Sequence, residues 1–376
     1  MDRLLIVFVD ALGPEQWASS RALQRVVGVS RALTGVAGFS SGAIATLLTG
    51  QTCANHGRLC LFSARSKAAP RSPLDALLWL RWLPPALAER GAVRRRLARW
   101  LAEREGLTGY VALHRVRPQD FRWLDIPERD DVFESATIGG CPTFLGDARD
   151  RGLSVFAARW ALAEDERWKH TFSMLQQKKP RLSMLYASEL DAALHEHGPS
   201  TAVAESVLDR LAARVARARD ILASDGATVR TVVVGDHGMS AVRRVIDPRP
   251  ISERGDVRAF VDSTIVRLWG TERSLARARL FAERARWPAR WIAREQLEAW
   301  GVGVDGAPWG DAWLQIDEGA LFAPSHVGGR VAGMHGYGPD ARSSSACFAS
   351  DASVDESVVS LSSVAGWVRA QTERWS

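Results

Sequence analysis

Three aspartates and three histidines sit where a folded chain could gather them. Asp10 follows the apolar run Leu4 to Val9, Asp191 comes just after Leu182 to Ala187, and Asp236 and His237 follow Val229 to Val234. His195 lies four residues beyond Asp191. His335 sits late, within Gly333-Met334-His335-Gly336-Tyr337-Gly338, where glycines let the backbone turn tightly behind an imidazole. Alone, an aspartate after a strand is an ordinary turn or cap residue, and a lone histidine an ordinary core or surface one. Together the six form a mixed nitrogen and oxygen donor set suited to two divalent ions, zinc first and manganese as the alternative. His56, His114, His170, His197 and His326 lack such placement and are expected to be structural or surface residues.

A second chemical element is Gly38-Phe39-Ser40-Ser41-Gly42-Ala43-Ile44, continuing to Leu47-Leu48-Thr49-Gly50. Small residues lead into a helix-like apolar stretch, so Ser40 or Ser41 stands at a helix N-terminus. Such a serine is either an N-cap or part of an anion site, because free backbone N–H groups and the helix dipole favour phosphate there.

The elements that must position these residues are strands with helices between them. Short Val/Ile/Leu runs that stop abruptly at polar residues suit strands buried on both faces of a parallel sheet. Residues 200–224 place Ala204, Leu208, Leu211, Val215, Ala218 and Leu222 on one helical face, with Pro199-Ser200 as a start and Asp225-Gly226 as a stop. Strand, helix and strand in succession predict an α/β fold with a doubly wound, mostly parallel sheet flanked by helices. In such sheets ligands bind beyond the carboxyl ends of the strands, where Asp10, Asp191, Asp236 and His237 stand. Two stretches break the rhythm. Residues 64–138, rich in Pro, Trp and Arg with a helical centre near 86–105, read as a cap insertion. Residues 250–310, with a strand over Val257 to Leu268 and a Trp/Arg-rich helix, read as a second insertion. The predicted core is therefore 1–63, 139–249 and 311–376.

With 376 residues, 46% of them hydrophobic, the chain has ample material for this core. No apolar run is long enough to span a membrane, and the N-terminus lacks signal-peptide character, so the expected location is cytoplasmic. Four cysteines without CxxC spacing indicate neither a zinc knuckle nor a disulfide framework. The net charge of +6 is nearly all arginine. It fits either base composition or a bias toward anionic substrates or surfaces. Nucleic-acid modules are not indicated.

Five ordered motifs resemble the alkaline phosphatase superfamily in its type I phosphodiesterase/nucleotide pyrophosphatase branch. They are Val7-Phe8-Val9-Asp10-Ala11-Leu12-Gly13, the Ser40 to Gly50 segment ending in Asn55-His56-Gly57, Asp191 to His195 with Gly198-Pro199, Asp236-His237-Gly238-Met239, and Met334-His335-Gly336-Tyr337. The resemblance implies that Asp10, Asp236 and His237, with the nucleophile oxygen, hold one metal. Asp191, His195 and His335 would hold the other. Spacing to the TLLTG stretch aligns Ser40 with the nucleophile, which implies a phospho-serine intermediate and cleavage of a phosphodiester or pyrophosphate bond. A small-molecule phosphate ester, such as a nucleotide or sugar phosphate, is the implied substrate.

The branch carries an asparagine beyond its HG element, and here that stretch is Arg58-Leu59-Cys60-Leu61-Phe62. The departure keeps a phosphomonoesterase, phosphonate hydrolase or phosphomutase in view, with a non-catalytic phosphate-ligand binder as a third reading. Arg90, Arg94, Arg95, Arg96, Arg99 and Arg104 in the first insertion fit a solvated helix face or a cap for an anionic or sugar-phosphate substrate.

Overall fold

The computed structural model describes residues 2–66, 71–253, 257–306 and 308–375. Residues 67–70 of the first predicted insertion, and 254–256 and 307 of the second, lie outside the described residues. The chain divides into two units. The first comprises Met1–His56, Asp131–Ala241 and Val331–Ser376, and the second Gly57–Asp130 and Val242–Arg330.

The first unit is built on the Asp2–Val9 strand, whose residues after Asp2 are all buried. A strand with no polar face needs cover on both sides. It lies between Leu182–Ala187 and Thr228–Gly235, parallel to each, with Leu4 opposite Leu182 and Phe8 opposite Val234. Val155–Ala157 extends the sheet on one side, and Ala346–Ser350 and Val29–Leu33 extend it antiparallel on the other. The pleat then sorts the side chains. Leu5, Val7 and Val9 enter a core with the helices Glu164–Lys178, Glu189–His197 and Thr201–Ala223. Leu4, Ile6 and Phe8 enter the opposite core, with Ser40–Thr49, Phe144–Asp150 and Ser363–Glu373. Each such buried side chain contributes about 1.5–3 kcal/mol. The result is the doubly wound, mostly parallel sheet read from the sequence. The helix expected over 200–224 runs from Thr201 to Ala223. Beyond it, Asp225 takes both Arg3 guanidinium nitrogens, at 2.6 and 2.7 Å, which fastens this turn to the start of the central strand.

The second unit gathers both predicted insertions, and its boundaries differ from the expected ones. Residues 57–63, 242–249 and 311–330 belong to it, and 131–138 belong to the first unit. The physical reason is strand pairing. Ala312–Ile316, expected to resume the core, pairs antiparallel with Ile265–Trp269 and Ala289–Ile292 in the second unit's four-stranded sheet. An apolar run shows that a strand is buried but not which sheet takes it. The single strand expected over Val257 to Leu268 is a hairpin, Arg258–Val261 and Ile265–Trp269. Its turn holds Ser263 at a φ of 71° and is closed by the Asp262 N–H donating to Ile265 O at 2.8 Å. The Asp262 carboxylate accepts from Arg267 Nε at 2.6 Å, and both side chains are fully buried.

Candidate active site

The site forms at the carboxyl edge of the first unit's sheet. Asp10 and Asp236 leave adjacent parallel strands, since Val9 and Gly235 are register partners. Gly235 permits the close approach, because a Cβ there would lie 1.9 Å from Leu12 O. Ala11, at a φ of 64°, turns the chain sharply, and its N–H donates to Asp236 Oδ1 at 3.1 Å. A non-glycine residue in that region carries strain of about 1–3 kcal/mol, offset here by the surrounding packing and this bond. Ser240–Ala241 pairs with Gly333–Met334, which carries His335 to the same edge.

The Ser40 hydroxyl stands at the first position of the Ser40–Thr49 helix, so it is helical N1 rather than an N-cap. It donates to Asp10 Oδ1 at 3.1 Å and lies 3.2 Å from His237 Nε2. Nδ1 of His237 is 2.9 Å from Gly238 O, and Nδ1 of His195 is 2.8 Å from Gly333 O. A carbonyl only accepts, so Nδ1 carries the proton in both rings and the neutral ring leaves an Nε2 lone pair. That lone pair of His237 faces Asp236 Oδ2 at 3.3 Å and Asp10 Oδ1 at 3.6 Å. For His195 it faces Asp191 Oδ1 at 3.3 Å, and His335 Nε2 lies 3.7 Å from the same oxygen. The His237 and His335 rings stack at 3.8 Å and 10°.

Acceptors therefore crowd against acceptors. Asp191 Oδ1, Asp236 Oδ2 and His335 Nδ1 are buried without a hydrogen bond. Burial and then repulsion from Asp236 raise Asp10 to about 6. Burial, then Asp10 and Asp236, push Asp191 well above the usual carboxylate range. Burial and then the neighbouring imidazoles hold His335 well below its ordinary value, and burial also lowers His195. Protein alone leaves this cluster uncompensated, and a cation would satisfy it. Two groups meet ligand geometry, Asp10 with Asp236 and His237, and Asp191 with His237 and His335. His237 is thus within reach of both, and His195 stands beside Asp191 just outside the second group.

All seven residues proposed from the sequence meet at this edge. Among the described residues, none of the histidines set aside falls in either group. His56 is buried with Nε2 at 3.0 Å from Thr46 Oγ1, His197 is exposed, and His326 stacks on Phe260, where burial pushes it down to about 4. Two residues escaped sequence reasoning. Tyr186 donates its hydroxyl to Asp10 Oδ2 at 2.9 Å, with the Arg167 guanidinium 4.8 Å over its ring. Its signal was a lone tyrosine in an otherwise mostly aliphatic strand, one position before the strand end as Phe8 is in its partner. Glu164 Oε2 accepts from the N–H groups of Ser188 and Glu189, at 2.8 and 2.6 Å, and so caps the helix bearing Asp191 and His195. Nothing local in the sequence marks it.

The type I phosphodiesterase/nucleotide pyrophosphatase family model matches residues 103–300, which include Asp191, His195, Asp236 and His237. The chain belongs to that family. It is accordingly a hydrolase of phosphoric ester bonds, in the alkaline phosphatase superfamily. Among solved structures, murine ectonucleotide pyrophosphatase/phosphodiesterase 5 is similar at 15% identity, over 99% of this chain and 95% of that one, with a TM-score of 0.68. The human protein of the same name gives 14%, 99%, 95% and 0.67. An inactive variant of the murine protein in complex with AMP gives 17%, 93%, 88% and 0.64. At these identities the likeness speaks for the fold. No curated protein matches the chain.

Proposed function

We propose that this family member cleaves a phosphodiester or pyrophosphate bond through a phospho-serine intermediate on Ser40, with two divalent ions, zinc by preference. The carrying observation is the Ser40 hydroxyl held between Asp10 Oδ1 and His237 Nε2 at the edge where unsatisfied carboxylate and imidazole atoms converge. Asp10, Asp236, His237 and Ser40 would hold one ion, and Asp191, His195 and His335 the other. Bound there, the ions supply positive charge that favours the ionised hydroxyl and offsets charge on the reacting phosphoryl group. Asp10 aims the Ser40 oxygen by accepting its hydrogen bond. Attack forms the Ser40–phosphorus ester as the bond to the leaving group breaks, and water then cleaves that ester and restores Ser40. A nucleotide substrate draws support from the family's activity and from the AMP complex of the murine neighbour.

A phosphomonoesterase remains the second reading, because Leu61 and its neighbours supply no asparagine after His56-Gly57. Hydrolysis of bis-p-nitrophenyl phosphate against p-nitrophenyl phosphate by the zinc-loaded protein separates the two. The expected result is diester preference. Ser40→Ala should lose at least about 10³-fold in kcat while keeping its metal. Monoester preference would move the substrate class, and an active Ser40→Ala would remove the nucleophile assignment.

A further inference from the structure

The segment from Trp79 to Arg104 in the second unit has a complete interior and an unusual exterior. Pro73–Trp82 and Gly91–Glu105 send Leu74, Leu77, Leu80, Ala98 and Leu101 into a core with Phe62, Phe121 and Phe260. Arg94, grouped by the sequence with the other arginines of this helix, is the exception among them. It is buried, donates to Ala88 O at 2.6 Å and Val116 O at 2.5 Å, and lies over the Phe121 ring. After that packing, Trp79, Trp82, Leu83, Leu87 and Trp100 still face solvent. They are five of the nine exposed large apolar side chains among the described residues, and Trp82 is 78% exposed. Interspersed with them are the exposed Arg81, Arg90, Arg95, Arg96, Arg99 and Arg104, against Glu89, Glu103 and Glu105. The Arg81 guanidinium lies 4.8 Å over the Trp82 ring, and that of Arg104 5.2 Å over Trp100.

We propose that this segment docks the protein on an anionic phospholipid surface. Charge complementarity selects the occupant. The arginines match lipid phosphates, while tryptophan and leucine between them have an apolar layer to enter just beneath the headgroups. A nucleic acid would satisfy the arginines and leave Leu83 and Leu87 unused. A second copy meeting this face in a two-fold contact would set like charge against like charge. Among the described residues no helix is long and apolar enough to cross a membrane, so the contact is peripheral. The inference does not depend on the reading of Ser40 or its metals.

Co-sedimentation of the zinc-loaded full chain with vesicles of phosphatidylcholine, alone or mixed with phosphatidylglycerol, tests it. The expected result is binding to the phosphatidylglycerol vesicles that weakens with salt and is absent with phosphatidylcholine alone. Two variants, Trp82→Ser with Leu87→Ser, and Arg95→Gln with Arg96→Gln and Arg99→Gln, should each bind at least about tenfold more weakly. Both alter exposed side chains and should hydrolyse a soluble diester as the parent does, which shows that they are folded. No binding to phosphatidylglycerol vesicles overturns the proposal, as does binding that neither variant weakens. Light scattering that finds a dimer without vesicles, converted to monomer by the first variant, also overturns it in favour of self-association.

Discussion

At the scale of single residues, the site is a problem of too many lone pairs. Asp10 carries most of the constraint. One of its oxygens accepts from Ser40 and the other from Tyr186, so the carboxylate is fixed in two directions before any ion arrives. Tyr186→Phe removes only the second restraint. It should weaken zinc binding about 10–100-fold, as losses behind a metal ligand do, and leave folding nearly unchanged. Competition against a chromogenic chelator measures the first effect and thermal melting of the metal-free protein the second. An unchanged affinity would mean that the backbone alone orients Asp10. The proposed metal ligands Asp10, Asp191, Asp236 and His237 were legible in the sequence because they follow buried strands that run to one edge, and His195 and His335 because of their spacing to Asp191 and the glycines around them. Tyr186 was not, because its importance lies in which strand lies beside Asp2–Val9, and periodicity does not say.

At the scale of elements, two of the proposed ligands, Asp191 and His195, ride on the short helix Glu189–His197, whose first N–H groups would otherwise lack acceptors. Ser188, at its N-cap, supplies no side-chain bond to them. Glu164, reaching in from the start of another helix, does so with a negative charge at the positive end of the dipole. Glu164→Gln keeps the shape and removes the charge, and should cost about 1 kcal/mol. Urea titration of the metal-free protein gives that number, and zinc affinity should fall with it as Asp191 and His195 loosen together. A loss of stability with no change in zinc affinity would show that metal binding reorders the helix by itself. Core elements with strong periodicity, such as Thr201–Ala223, were readable to within a residue or two. The hairpin around Ser263 and the sheet membership of Ala312–Ile316 were not, because a positive-φ turn at serine and a choice between two sheets leave no composition signal.

At the scale of the whole molecule, the metals should act as folding ligands as well as reactants. A group whose folded pKa is raised stabilises the fold below its unfolded value and loses that contribution as pH rises through the folded one. Asp10, raised to about 6, and Asp191, raised further in the same direction, therefore weaken the metal-free protein as pH rises. The lowered His335 and His195 act oppositely, withdrawing stability as pH falls below about 6.5. Protons on the two carboxyls also compete with zinc. The difference in Tm between zinc-loaded and chelator-treated protein should then widen from pH 5 to pH 8. At saturating zinc it should reach several degrees, at about 2–4 °C per kcal/mol for units of 150–250 residues. Scanning calorimetry at three pH values checks it. A difference that narrows with pH would contradict the protonation pattern assigned to Asp10 and Asp191.

The sheet of the first unit is completed by a latecomer, the Ala346–Ser350 strand, which pairs with both Thr228–Gly235 and Val29–Leu33. During synthesis, the edge of Thr228–Gly235 waits for roughly 115 further residues to be translated, an interval of about 6–23 s at ordinary elongation rates. Throughout that interval the nascent chain has an apolar strand paired on one side only, its outer edge open because the residues that cover it are not yet outside the ribosome. A messenger truncated before residue 346 thus yields a chain with an open β-edge, a substrate for chaperones and proteases rather than a smaller enzyme.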